Sequence, residues 1–156
     1  MISSISYHDA NLRYSDLGKG DPVVLIHGYL ESLEIWNGFA EKLARNYRVI
    51  SVDLPGHGQS GIYSSMESGL FRPMHALQSP LSLSIGRAVI IGHSMGGYAT
   101  LAMADIFPEI IVGFCLFHAH ALPDTEEKKL NREREALLVK EGGKSQFINL
   151  NIPNAF

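Results

Sequence analysis

From Ala88 to Leu101 the chain runs through Ala88-Val89-Ile90-Ile91, then Gly92-His93-Ser94-Met95-Gly96-Gly97, then a helix-forming segment. An unbroken apolar run, a glycine-bounded turn and a helical period in that order predict a buried strand that turns sharply into a helix. Such a unit needs a sheet to pair with, and the rest of the chain supplies one. Val23-Val24-Leu25-Ile26, bounded by Pro22 and Gly28, reads as a strand buried on both faces of a parallel sheet. Trp36, Phe39, Ala40 and Leu43 follow at helical spacing, with Ser32 and Glu34 placed for the start of that helix. Further strands are expected at Arg48 to Asp53, ended by Pro55-Gly56, and at Ile110 to Phe117. Between the last two strands a helix from about Met95 to Asp105 carries Ala99, Ala102, Met103 and, just beyond, Ile106.

Strands and helices alternating over short connections predict an α/β fold, a mostly parallel sheet with flanking helices and right-handed crossovers. Ile2 to Tyr7 and Leu12 to Leu17, split by Asp9-Ala10-Asn11, predict an opening hairpin. Residues 1–122 are expected to form this domain and residues 123–156 to begin a separate region. There, Thr125 to Glu141 is charged and helix-favouring, and Leu130, Leu137 and Leu138 give only a thin apolar stripe on a mostly solvated face. Met66 to Gly86 breaks the pattern. An α/β unit needs a crossover helix at this point, but Gly69, Pro73 and Pro80 interrupt it.

At 156 residues the chain is long enough for one domain with a substantial core. Thirteen basic against 16 acidic groups leave a net charge of -3, and nothing in this balance points to nucleic acid or to an anionic membrane. No window approaches the roughly 20 apolar residues that span a bilayer, and Met1 to Asp9 lacks a basic start followed by an apolar signal core. A cytoplasmic chain is expected, with its oligomeric state left open. The single cysteine, Cys115, excludes an internal disulfide, and its place inside an apolar run predicts a buried thiol.

Chemistry concentrates at three places. Ser94 ends a strand and opens a helix between Gly92 and Gly96, where its hydroxyl projects and the helix N-terminus favours developing negative charge. The alternative is a plain N-cap, a role serine often fills. His27-Gly28-Tyr29 follows a buried strand, and a bend there can aim the Tyr29 N–H into the same crevice as the Met95 N–H, forming an oxyanion hole. The alternative is a structural turn with His27 satisfied by local backbone. Asp53-Leu54-Pro55-Gly56-His57-Gly58-Gln59-Ser60-Gly61 contains a formal GxGxxG, yet no acid stands about 20 residues on and no good helix opens. A tight hydrogen-bonded loop with a structural His57 is expected instead of a nucleotide site. His118 and His120 lack a further ligand cluster, so no metal is expected. They fit better as lining of a crevice. Asp124 reads as a surface carboxylate.

These residues resemble the α/β-hydrolase fold family, whose members carry an HG motif, a DxPGHGxS loop and a GHSMGG turn in that order. Here they are His27-Gly28, Asp53 to Ser60 and Gly92 to Gly97, in register over Val23 to Pro108. The resemblance implies a serine hydrolase that needs no cofactor and acts on a small ester, thioester or amide through an acyl-enzyme. It also implies that Ser94 is the nucleophile, that the N–H groups of Tyr29 and Met95 hold the oxyanion, and that Gly28, His93 and His118 line the substrate crevice. Serine at the turn argues against the haloalkane dehalogenase and epoxide hydrolase branches, which place aspartate there. The family continues with a helical cap, two more strands, an acid and a final histidine. Pro123 to Phe156 resembles the entry to that cap, and no histidine follows His120. The expectation is a fold truncated before its last strands that hydrolyses esters barely or not at all. The Ile110 to Phe117 strand would then form an apolar edge. Ser65-Met66-Glu67 and Ser84 to Ala88 resemble the ends of the missing crossover helix, so a frame error or a degenerating gene is a further expectation. A non-catalytic binding protein on the same fold is the alternative function.

Overall fold

A computed structural model describes residues 1–7, 9–62 and 83–151, and in it the opening hairpin forms as expected. Strands β1 (Ile2–Tyr7) and β2 (Ala10–Leu17) pair antiparallel, Ile2 opposite Ser15 and Tyr7 opposite Ala10. β2 then pairs antiparallel with β4 (Arg48–Val52), which lies parallel to β3 (Pro22–Ile26). On the other side of β3 come β5 (Ala88–His93) and β6 (Ile111–Phe117), both parallel to it, giving the sheet order β1-β2-β4-β3-β5-β6. The predicted strands thus form within one or two residues of their expected ends. α1 (Asn37–Leu43), entered through a 3-10 turn at Leu33–Trp36, follows β3, and α2 (Met95–Ile106) follows β5.

The side-chain period of two divides the core between the sheet faces. Val24, Ile26, Ile50, Val52 and Ile90 bury against Ala99 and Met103 of α2, whereas Val23, Leu25 and Val49 bury against Trp36 and Ala40. β3 and β4 are therefore apolar on both faces, the condition that their continuous apolar runs encode.

Three residues placed on apolar stripes or runs are exposed in the structure. Cys115 is exposed. β6 ends the strand order among the described residues as the expected apolar edge, so Val112, Phe114, Cys115 and Phe117 stay open to solvent. Phe39 is exposed, while Trp36 and Ala40 of the same stripe are buried against the sheet. Ile106 is also exposed, at the end of α2. Ser32 does not cap with its side chain; its hydroxyl donates to Glu34, whose carboxylate pairs with Arg13 at 2.6 Å.

The chain divides into two compact units, Met1–Ala121 and Leu122–Phe156. In the second, α3 (Glu126–Lys140) is capped by the Thr125 side chain, which accepts from the Lys128 N–H at 3.3 Å. Glu126 and Glu127 in its first turn and Lys140 in its last match the helix dipole. Gly142, at φ 92°, ends the helix, and α4 (Lys144–Asn151) packs back on α3. Leu130 and Leu137 are exposed, and Asp124 is engaged by Arg132 at 2.7 Å. Of the aberrant stretch, residues 66–82 lie outside the described residues. Leu83 and Ile85 bury in the α2-side core, and Ser84 to Gly86 are not helical.

Candidate active site

Strand order places the site. β4 and β5 lie on opposite sides of β3, so the chains leaving the carboxyl ends of β3 and β5 diverge and open a crevice between them. Ile26 and Gly92 are in register. The bend at His27 to Glu31 and the turn at Ser94 are therefore neighbours.

Ser94 sits at φ 49°, ψ -110°, between β5 and α2, and its side chain makes no capping hydrogen bond. The plain N-cap alternative therefore loses its defining contact. Backbone bonds hold the turn: the Ser94 N–H donates to the Phe117 carbonyl at 3.0 Å, and the Gly97 N–H donates to the Ser94 carbonyl at 2.9 Å. The flanking glycines are required by contact rather than by torsion. A Cβ on Gly92 would collide with the Gly96 backbone and the Thr100 hydroxyl, and one on Gly96 would collide with the carbonyls of Ile26 and His27.

Positive φ at a non-glycine residue costs on the order of 1–3 kcal/mol and concentrates at functional sites. Among the described residues Leu30, Ser84, Ser94 and His118 carry it. Three of these follow the carboxyl ends of β3, β5 and β6. Strain is thus gathered along one edge of the parallel sheet, the edge where the crevice opens.

His27 is fully buried, and the backbone satisfies both of its ring nitrogens. Nδ1 donates to the Gly28 carbonyl at 2.7 Å and Nε2 accepts from the Leu54 N–H at 3.0 Å. The structural-turn alternative thus holds for its side chain. Burial pushes its pKa below the usual 6.5. Neutral when folded, it binds a proton more readily in the unfolded chain, so its contribution is intact above pH 6.5 and is lost as pH falls below it. Urea unfolding should show stability falling as pH drops below 6.5, with a slope of at most about 1.4 kcal/mol per pH unit from this residue. The difference between wild type and His27→Asn isolates it; equal slopes would remove the claim.

The glycine loop after β4 wraps a buried carboxylate. Asp53 accepts from the Leu33 N–H at 2.7 Å, the Gln59 N–H at 2.9 Å and Arg13 at 3.2 Å, and a Cβ on Gly58 would overlap it. The Gly56 N–H donates to the Gly61 carbonyl, and the Gly61 N–H to Asn11. These donors are used within the protein, unlike those of a phosphate cradle. His57 donates from Nδ1 to the Pro55 carbonyl at 3.1 Å, and its ring lies between those of His27 and Tyr29.

Around the crevice, Tyr29 lies half exposed in the turn after β3, and Met95 opens α2, where a backbone N–H has no partner within the helix. His93 packs against Trp36, Phe117 and His118. The His120 ring meets Tyr98. Among the described residues no group of three or more metal-ligating side chains converges.

The sequence reading passed over Glu31. Its Oε2 accepts from the Gly28 N–H at 2.6 Å and from His93 Nδ1 at 2.8 Å. A signal was present: Gly28 and Glu31 have the three-residue spacing by which an acid reaches back to a backbone N–H in a capping box. Its His93 partner, 62 positions away, depends on strand order.

A mixed sheet with helices on both faces and a strained serine turn after β5 define an α/β-hydrolase frame, and a profile of the alpha/beta hydrolase fold matches residues 21–141. The chain belongs to that family. It is 28% identical over 141 residues to an (E)-2-((N-methylformamido)methylene)succinate hydrolase of Acinetobacter baylyi, covering 90% of this chain and 51% of that one. It is 32% identical over 115 residues to a 2-hydroxy-6-oxo-6-(2'-aminophenyl)hexa-2,4-dienoic acid hydrolase of Metapseudomonas resinovorans, covering 70% and 39%. A thermophilic esterase from Thermogutta terrifontis superposes with a TM-score of 0.83 at 32% identity, over 98% of this chain and 58% of that one. The chain thus spans about half the length of these relatives. Among the described residues no helix is long and apolar enough to cross a membrane.

Proposed function

We propose that this chain carries the nucleophile half of a serine hydrolase that acts on a small ester, thioester or amide. The observation that carries the reading is Ser94: positive φ, no capping bond, and glycines on both sides that leave no room for a Cβ. Strain of this kind persists where it presents a reactive group. Hydrolase relatives of the same family support the reaction class.

In the proposed reaction Ser94 Oγ bonds to the acyl carbonyl carbon while a base takes its proton. The carbonyl oxygen becomes an anion held by the N–H groups of Tyr29 and Met95, and its collapse expels the leaving alcohol, thiol or amine with a proton from the base. Water then repeats the sequence on the acyl-enzyme and frees the acid. Gly28, His93 and His118 line the pocket in this reading, and residues 123–156 begin a helical cap region. Of the described histidines, His27 and His57 are held by backbone, His93 by Glu31, His118 packs against His93 and Phe117, and His120 lies against Tyr98. The family resemblance assigns the base and its acid to no residue of this chain, and we expect residues 1–156 by themselves to turn over esters at the residual level left by triad deletion.

A fluorophosphonate probe tests the reading in the full-length protein. The expected result is one adduct on Ser94, absent in Ser94→Ala. A folded protein with no adduct would favour a non-catalytic binding role.

A further inference from the structure

We propose that Glu31 is a positioning residue that fixes the spacing of the two oxyanion donors, an inference that rests on the serine reaction proposed above. One carboxylate oxygen, Oε2, takes the Gly28 N–H at 2.6 Å and His93 Nδ1 at 2.8 Å. The first partner belongs to the bend after β3 and the second is the last residue of β5. Glu31 therefore bridges the crevice walls. The proposed donors lie next to the two anchors: Tyr29 is one residue beyond Gly28, and Met95 two beyond His93.

Several features make this bridge directional. A carboxylate only accepts, so His93 must carry its hydrogen on Nδ1. The His93 ring packs against Trp36, Phe117 and His118, which oppose its swinging to follow a moving partner. The Glu31 side chain is 12% exposed and that of His93 23%, so water competes weakly for either bond. Gly28 completes the fit, because a Cβ there would lie 2.7 Å from Glu31 Oε2 and 2.9 Å from His93 Nδ1. The bend also contains Leu30 at φ 59°, a strained conformation that needs an external tie. Glu31 is that tie, and it touches no reacting atom.

The experiment combines two readouts on the full-length protein, with Glu31→Ala and Glu31→Gln compared to wild type. The first is fluorophosphonate inactivation resolved into kinact and KI. Loss of an oxyanion donor costs about 10²–10³ in rate, so a displaced donor in Glu31→Ala should lower kinact by about 10- to 100-fold, with KI within about threefold. A glutamine carbonyl can accept both hydrogens, so Glu31→Gln should recover kinact to within about threefold of wild type. The second readout is the Gly28 amide proton in NMR spectra, which a short bond to a carboxylate shifts downfield. It should move upfield in Glu31→Ala and much less in Glu31→Gln. Should Glu31→Ala not fold, Glu31→Asp, one methylene too short to reach both partners, is expected to show the same losses. Unchanged kinact in a folded Glu31→Ala or Glu31→Asp overturns the inference, as does a stationary Gly28 amide. A wild-type protein that takes no probe overturns the serine reaction and the oxyanion role together, and the amide shift then decides separately whether Glu31 clamps the bend.

Discussion

Replacing Gly96 with alanine is expected to lower Ser94 labelling by about 10²-fold, since a displacement near 1 Å costs that much in a positioned reaction. The new Cβ would overlap the Ile26 carbonyl and lie 2.7 Å from the His27 carbonyl oxygen. Both are backbone atoms at the end of β3, so no rotamer change relieves the contact. Either the first turn of α2 lifts away from the sheet or the HG bend is pushed outward, and both movements separate Ser94 from Tyr29. Overpacking of this kind also costs about 1–3 kcal/mol of stability. Gly38→Ala is the control: it lies in α1, its Cβ would meet nothing within 4 Å, and it should gain about 0.5–1 kcal/mol from helix propensity. Denaturant midpoints and labelling rates for the two variants check both statements. A Gly96→Ala protein as stable and as reactive as wild type would mean that β3 and α2 do not meet this closely.

Replacing Asp53 with alanine is expected to cost about 3–5 kcal/mol, the range for breaking a buried charge pair by removing one partner. The carboxylate is buried and holds the Leu33 N–H, the Gln59 N–H and the Arg13 guanidinium together. It joins the entry to α1, the glycine loop and β2, three segments with no covalent reason to stay in contact. Without it the buried Leu33 N–H and the part-buried Gln59 N–H lose their acceptor, and Arg13 keeps Glu34 at 2.6 Å. Asp53→Asn retains one accepting oxygen and should lose less, about 1–3 kcal/mol. Glu34, whose side chain is 46% exposed, is the opposing case: Glu34→Gln should cost under about 1 kcal/mol. Equilibrium unfolding in urea measures all three, and a ranking other than alanine, asparagine, then the Glu34 variant would refute the network.

The strands were legible because each depends on local side-chain type. Val23 to Ile26 and Val49 to Val52 are β-branched or apolar at every position but Ser51, and such runs have few stable fates other than the middle of a parallel sheet. The Ser94 turn was legible for the same reason, since a strand run, two glycines and a helix-forming segment adjoin in the chain. Cys115 and Phe39 were misjudged because burial depends on what covers a residue. β6 carries the same kind of apolar run as β5 yet pairs on one side only among the described residues.

Sequence alone determined the α/β frame, the family motifs and the position of the strained serine, all of which follow from contiguous residues and from torsional or steric preferences within a few positions. Tertiary structure decided which polar groups meet. Glu31 found His93, and Asp53 found Arg13 and Leu33, across separations of 62, 40 and 20 residues. Such pairings are set by strand order, which brings β3 between β4 and β5. No local propensity encodes that order; it is fixed by which arrangement buries both apolar faces of β3.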